Sequence, residues 1–414
     1  MAGSADLVQA AFAALSAGDA EAAGLFREAI ERDPGNPSLL IGEAEALLAA
    51  GQARPLERLE AAVARNPEWV AGQSALASLK WELGDQDYTA GFRAALATRR
   101  RNPGLWNGLI QMLQGASDYA GAAEAAAQAR QHFPDPVLVL IEATNRGLIG
   151  DDAAVETLLR QVPEMPARDE VEVRHRIRLQ DHAGAGAIVE RMLARPEAGL
   201  DAWALAEILW RKTADDRWPW LAGAPQLVVK VRLDYAPHRL EQLAATLEGL
   251  HRQQRQPVGQ SVRGGTQTRG RLFDRREPEI RALHVAFQSA VEAYRGQLPP
   301  LDPAHPLLRH RHRRLMADGG WSVRLTGAGF HVPHLHPAGV LSSAFHVRVP
   351  ELDDAAREGY LELGRPPQDL RMDLAPLASV RPEPGCLVLF PSYLYHGTRP
   401  FSAGERLSVA FDVI

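Results

Sequence analysis

Two patterns of apolar and polar positions divide the chain. Residues 1 to about 215 are rich in alanine and leucine, broken at regular intervals by turn residues, and predict helices throughout. After DDRWPW (215–220) the pattern changes. LVVKVRLDY (227–235) alternates β-branched and polar residues as a strand does. HRLEQLAATLEGLHRQ carries leucines at helical spacing, and EIRALHVAFQSAVEAY predicts a second helix. Between them VGQSVRGGTQTRG (258–270) is polar and glycine-rich and predicts a loop. From about residue 320 short apolar runs are separated by Pro/Gly turns: WSVRL, VLSSAFHVRVP, GCLVLFP and ERLSVAFDVI. Such a series predicts a sandwich or jelly roll.

The punctuation of the first half is periodic. Loop glycines fall at Gly18, Gly51, Gly84, Gly115, Gly150 and Gly184, in steps of 31 to 35 residues. Turn prolines Pro34, Pro67, Pro103 and Pro134 fall between them. Two helices per repeat account for both series: glycine ends one helix in the left-handed conformation, and Asn/Asp-Pro separates that pair from the next. A period near 34 with this content resembles the tetratricopeptide family. The resemblance implies a concave groove for a peptide or protein. The alternative role for such an array is to brace or dimerise the second domain, giving a homodimer. The predicted architecture is α+β and multidomain: an all-α tetratricopeptide-like solenoid over 1–215, then a double-stranded β-helix (jelly roll, cupin-like) with flanking helices over 216–414.

Composition narrows the function classes. With 46% hydrophobic and 23% charged residues, the chain is that of an ordinary globular protein. A net charge of −5 provides no global attraction for nucleic acid, and the basic run RHRHRR (309–314) is read as solvated surface. The single cysteine, Cys386, excludes an internal disulfide and reads as a small core residue. No apolar run reaches the length of a membrane span, and the first residues lack a secretory leader. A cytoplasmic location is expected, with neither nucleic acid nor membrane as partner.

Chemistry concentrates in GFHVPHLHPAG (329–339), which holds three of the 14 histidines. His334 and His336 form His-x-His, and on an extended strand both would face one side. His396 follows the buried-looking run CLVLFP. Two neighbouring ligands and a distant third suit a facial metal site with open positions. Ten residues on, Arg406 and Ser408 share a strand face, and a buried arginine there needs an anion such as a dicarboxylate. SVRGGTQTRG lacks the Lys-Ser/Thr ending of a phosphate-binding loop. It is read as active-site rim, with Arg263, Thr266 and Gln267 available to a substrate or, alternatively, serving conformation alone. Trp321 is read as core, His346 as core or pocket wall, and His331 as a loop group or a group behind the metal ligands.

At these residues the second half resembles the iron- and 2-oxoglutarate-dependent oxygenases, most of all those fused to tetratricopeptide repeats. The stretches that carry the resemblance are QSVRGGTQT, WSVRL, GFHVPHLHPAGVLSSAF, PGCLVLFPSYLYHGTRPF and ERLSVAFDV. It implies that His334 and His396 bind Fe(II) and that Arg406, with Ser408, clamps the far carboxylate of 2-oxoglutarate. The family's usual triad is His-x-Asp/Glu…His, and the acid position here is His336. It is read as the third ligand, with a donor behind the metal as the alternative. The resulting expectation is a dioxygenase that uses molecular oxygen to hydroxylate a peptide or protein side chain held by the repeat groove. The alternatives are a three-histidine cupin-type thiol dioxygenase without 2-oxoglutarate and a non-catalytic repeat scaffold.

Overall fold

Each alanine-rich run folds as a helix, and the helices succeed one another as hairpins from Ser4–Ser16 with Ala22–Arg32 to Pro166–Arg178 with His182–Leu193. This computed structural model describes residues 4–196 and 198–414. Gly18, Gly51, Gly84 and Gly150 take φ of +67°, +68°, +84° and +86° at helix ends, as predicted. Gly115 and Gly184 do not. Ser117 (φ +64°) and Gln180 (φ +60°) make those left-handed turns. Gly115 answers instead to close approach, since a Cβ there would lie 2.1 Å from the Val258 side chain and 2.8 Å from the Gly259 nitrogen. Gly184 lies in the first turn of its helix, where its N–H donates to the capping Asp181 carboxylate at 2.9 Å. Asn102 caps the helix begun by Pro103, and Asp135 caps the one begun by Pro136.

Contacts gather the chain into two compact units. The first comprises Met1–Gln161 with Gly249–Gln260 and Arg269–Arg276. Its helices interlock through a large–small pairing that keeps the repeat. Phe26 lies against Gly42 and Phe92 against Gly108, so closely that a Cβ on either glycine would be 2.3 or 2.5 Å from the ring. One period after the first pair, Leu59 and Ala75 share a cluster in the intervening repeat. The two later segments are built into this unit. Gln254 and Arg255 donate their backbone N–H to Glu82 O at 2.9 and 3.2 Å, and Gly259 donates to Gly115 O at 3.1 Å. The Trp81 indole donates to Gln256 O at 2.9 Å, with the Arg255 guanidinium 4.5 Å above its ring. Arg269 reaches Glu82 at 2.9 Å, Glu45 at 2.6 Å and Ser78 at 3.0 Å. Glu82 is fully buried, and burial pushes its carboxyl above the ordinary range despite that arginine.

The second unit comprises Val162–Glu248, Ser261–Thr268 and Glu277–Ile414. It holds two antiparallel sheets made from nine strands: β1 Val229–Arg232, β2 Val262–Gln267, β3 Ala317–His331, β4 Leu341–Arg348, β5 Leu361–Leu363, β6 Ala378–Val380, β7 Cys386–Pro391, β8 His396–Thr398 and β9 Glu405–Val413. The large sheet has the order β1-β7-β4-β9-β3-β2 and the small one β6-β5-β8. Leu361 and Leu363 of the small sheet pack on Val388 and Phe390 of the large one, which fixes the inner face. On the outer face the helix Pro278–Gln297 lays Phe287 on Phe411 at 4.5 Å and against Phe345 at 5.2 Å.

The stretch predicted as a loop contains β2. As an edge strand it bonds to β3 alone and needs few apolar residues. Gly264, at φ +69°, lies where the register shifts: it alone separates Arg263 from Gly265, while residues 326–329 of β3 bulge between their partners Phe330 and Leu325.

Candidate active site

β3 ends at His331. His334 and His336 lie beyond it, so the predicted extended strand does not carry them. A single backbone bridge replaces it: His334 and His396 exchange N–H···O bonds at 3.0 Å in both directions. His396 opens β8, held by the tyrosines before it. Tyr393 donates to Leu221 O at 2.6 Å. Tyr395 accepts from Arg174 at 3.3 Å, while Arg174 also grips both oxygens of Asp369 at 2.7 and 2.8 Å. The motif SYLYH therefore places a ligand-like histidine directly after two anchors.

One nitrogen from each of His334, His336 and His396 falls within 4.8 Å of the others. Hydrogen bonds at the opposite edge of each ring fix which nitrogen is offered. Nδ1 of His334 donates to Val332 O at 2.9 Å, Nδ1 of His396 to Leu394 O at 3.1 Å, and Nδ1 of His336 to Asp412 Oδ1 at 2.5 Å. A neutral imidazole that donates from Nδ1 keeps a lone pair on Nε2. The Nε2 atoms of His334 and His336 are 2.9 Å apart, so two lone pairs face one point. Burial pushes His334 down to about 3, aided by His336, and pushes His396 well below its ordinary value, aided by His334 and His336. The lone pairs of His334 and His396 are not lost to protons at neutral pH. Converging nitrogen donors with oriented rings are what a divalent metal requires, and the residues fit one.

Asp412 was not predicted. The carboxylate missing from the position of His336 stands behind its ring instead, on β9. Its N–H···O contact could not be read from a residue 76 positions downstream. His331 ends β3 rather than lying in a loop; its Nδ1 lies 3.1 Å from Ser261 Oγ, which is 3.2 Å from His334 Nε2. Trp321 is half-buried, packing on the Val323–Leu325 cluster with its ring 5.2 Å from that of His336.

Arg406 is 1% exposed. Its Nη1 donates to Gly359 O at 2.8 Å and its Nη2 to Thr398 Oγ1 at 3.1 Å. Its Nε is buried without a partner, and no carboxylate pairs with it among the described residues. Burial alone pushes it down to about 10. Thr398 also accepts the His331 N–H at 3.0 Å, linking the arginine to the histidines. The register pairs Val323 with Ser408 and Leu325 with Arg406, so Ser408 and Arg406 share the inner face. A buried guanidinium with a free donor and no counter-ion fits an anionic ligand.

The rim residues separate. Gln267 lies opposite Val323 and shares the inner face, whereas Thr266 lies opposite Arg324 on the other face. Arg263 lies opposite Phe330, near enough that its charge helps depress His331 and His334. Cys386 is buried, and Arg309, His312, Arg313 and Arg314 of the basic run are exposed.

Comparison with known proteins agrees with this geometry. Residues 319–412 match the family described as "Putative 2OG-Fe(II) oxygenase". Comparison with curated proteins gave no match. Among solved structures, the 2OG complex of the viral collagen prolyl hydroxylase of Paramecium Bursaria Chlorella virus-1 is 11% identical over 45% of this chain and 95% of its own, with a TM-score of 0.31. A prolyl-4-hydroxylase of Pseudomonas putida is 16% identical over 51% and 98%, with a TM-score of 0.30. A tetratricopeptide repeat protein of Parabacteroides merdae is 16% identical over 51% and 87%, with a TM-score of 0.37. At these values the likenesses carry no functional weight. Residues 319–412, which hold the three histidines and Arg406, match the 2OG-Fe(II) oxygenase family, whose cofactors are Fe(II) and 2-oxoglutarate, and they come after an array of helical hairpins.

Proposed function

We propose that the chain is an Fe(II)- and 2-oxoglutarate-dependent dioxygenase that hydroxylates a peptide or protein side chain. The observation that carries this reading is the pairing of three converging imidazoles with a buried, uncompensated Arg406. His334, His336 and His396 would hold Fe(II), with Asp412 fixing the His336 ring and supplying negative charge where the acid ligand is missing. Arg406, with Thr398 and Ser408, would hold the far carboxylate of 2-oxoglutarate. When bound, iron and 2-oxoglutarate supply an oxidant for a C–H bond: one oxygen atom of O2 enters the product, and the other enters the succinate formed with carbon dioxide. The chain's own residues position and exclude. Trp321 covers the His336 ring, and Gln267 and Arg263 stand at the edge strand beside the site.

Recruitment of the substrate is assigned to the repeats. Part of their surface is already covered by residues 249–260 and 269–276. A cavity of about 360 Å³ elsewhere in that unit is lined by Arg93, Arg100, Trp106, Gln131 and His132 without an acidic residue. Such a lining suits an acidic segment of a peptide.

The reading is tested by anaerobic titration of the Fe(II)-loaded protein with 2-oxoglutarate, monitoring the metal-to-ligand absorption band. A saturable band that is lost in Arg406→Ala is expected. Iron-loaded protein that shows no band would sink the reading and favour a three-histidine thiol dioxygenase, for which the all-imidazole ligand set is the supporting observation.

A further inference from the structure

His346 lies on β4 and is 2% exposed, with neither ring nitrogen hydrogen-bonded. A buried histidine that serves packing is normally satisfied. The same unit supplies the comparison. His305, fully buried, approaches Leu221 O with Nε2 at 3.0 Å and accepts from the Leu307 and Leu308 N–H groups with Nδ1 at 3.1 Å each. His346 has no counterpart to any of these. Leaving both a donor and an acceptor dry is costly, so the position points to a partner that arrives with a ligand.

Register says where the ring faces. His346 pairs with Ser408 across the β4–β9 ladder, and cross-strand partners share a face. Arg406, two residues from Ser408, shares it as well. Ala344, two residues before His346, packs on the inner cluster. Burial, and after it the cations Arg406 and Lys230, keep the His346 ring neutral by pushing it down to about 3. Lys230 is committed to Glu383 at 2.6 Å. Among the described residues no acid bears on the ring. The unsatisfied donors on this inner face are thus the Arg406 Nε–H and one His346 N–H.

We propose that His346 is a second reader of the far carboxylate of 2-oxoglutarate, donating one ring N–H to it beside Arg406. This rests on the function proposed above. A carboxylate has two oxygens and about four lone-pair directions, enough for both donors. The arrangement makes His346 a specificity residue: it recognises the end of the co-substrate that the metal does not touch.

The test compares two 2-oxo acids of equal length. 2-Oxoglutarate carries the far carboxylate, whereas 2-oxopentanoate ends in a methyl group. Binding of each to the anaerobic Fe(II) protein is read from the absorption band for wild type, His346→Leu and His346→Asn. His346→Leu should bind 2-oxoglutarate about 10- to 100-fold more weakly, the range for a lost hydrogen bond to a charged group. 2-Oxopentanoate should be unaffected, and His346→Asn, which keeps a donor, should recover part of the loss. Equal affinity for 2-oxoglutarate in wild type and His346→Leu, or equal losses for both acids, would overturn the proposal. Absence of binding to wild type would instead overturn the reading on which it rests. A measurement on wild type needs no variant to fold: in the Zn(II)-loaded protein the ring ¹⁵N resonances of His346 should shift with 2-oxoglutarate and not with 2-oxopentanoate. No shift with 2-oxoglutarate bound would also refute it.

Discussion

Replacing Arg406 by methionine should cost the protein its co-substrate while leaving the fold as stable as before or more so. The guanidinium is held in a site that offers it a carbonyl, a hydroxyl and no anion. Its drop from the ordinary arginine value to about 10 corresponds to about 3 kcal/mol against the charged form. Because the folded value lies below the unfolded one, this cost is present in full at every pH below about 10. It fades only as pH rises toward the unfolded value, so at pH 7 the fold bears all of it. Methionine removes the charge and fills much of the volume, but it strands the Gly359 carbonyl, which costs about 1–3 kcal/mol. The balance is a variant between unchanged and about 2 kcal/mol more stable, or up to about 4–8 °C in melting temperature at roughly 2–4 °C per kcal/mol. Urea unfolding without ligand measures it. In the same experiment 2-oxoglutarate at 100 times its Kd should stabilise the wild type by about 2.7 kcal/mol and the variant not at all. A ligand-free variant weaker by more than about 1 kcal/mol would refute the reasoning, because Arg406 would then be a structural cation.

The same contacts fix three further outcomes. Asp412→Asn should weaken metal binding about 10- to 100-fold, the usual effect of losing a group behind a ligand, read by competition with a chelating dye; unchanged affinity would remove Asp412 from the site. His346 is held neutral with a folded value of about 3, so acid favours the unfolded chain, whose histidines protonate near 6.5. Between pH 7 and 5 wild type should lose about 2 kcal/mol more than His346→Leu, and parallel urea curves at the two pH values would contradict this. Arg269→Ala leaves Glu82 buried without its cation and should destabilise by about 3–5 kcal/mol, with much of the loss recovered in the Glu82→Gln, Arg269→Ala double variant.

Legibility in the sequence tracked the range of the interaction. The hairpin array announced itself because its turns are local, and His334 with His336 because a single residue separates them. The glycine series misled at Gly115 and Gly184, where the residue serves close packing or a cap while Ser117 and Gln180 take the left-handed turns. The pairs Phe26/Gly42, Leu59/Ala75 and Phe92/Gly108 were present in the repeat, yet which small residue receives which large side chain is decided by packing between helices. β2 was hidden because an edge strand needs no apolar alternation. Asp412 was hidden for a different reason: it sits in an ordinary strand pattern, and only the convergence of β9 on the turn after β3 gives it a partner. The need of Arg406 for an anion was readable, whereas the isolation of His346 was not, since a missing hydrogen bond leaves no trace in a sequence.

Residues 249–260 and 269–276 set terms for how this chain can be inherited. Counted along the backbone, the two units exchange the chain five times. Recombination at the change of composition near residue 215 would therefore not pass on an intact array. It would strand Val258 without the Trp106 cluster, Arg255 without Trp81 and Arg269 without Glu82. A foreign array joined at that point would have to supply all three receptors at once. The two halves look exchangeable in sequence, but drift in one must be answered in the other, and they pass from ancestor to descendant as a single heritable piece.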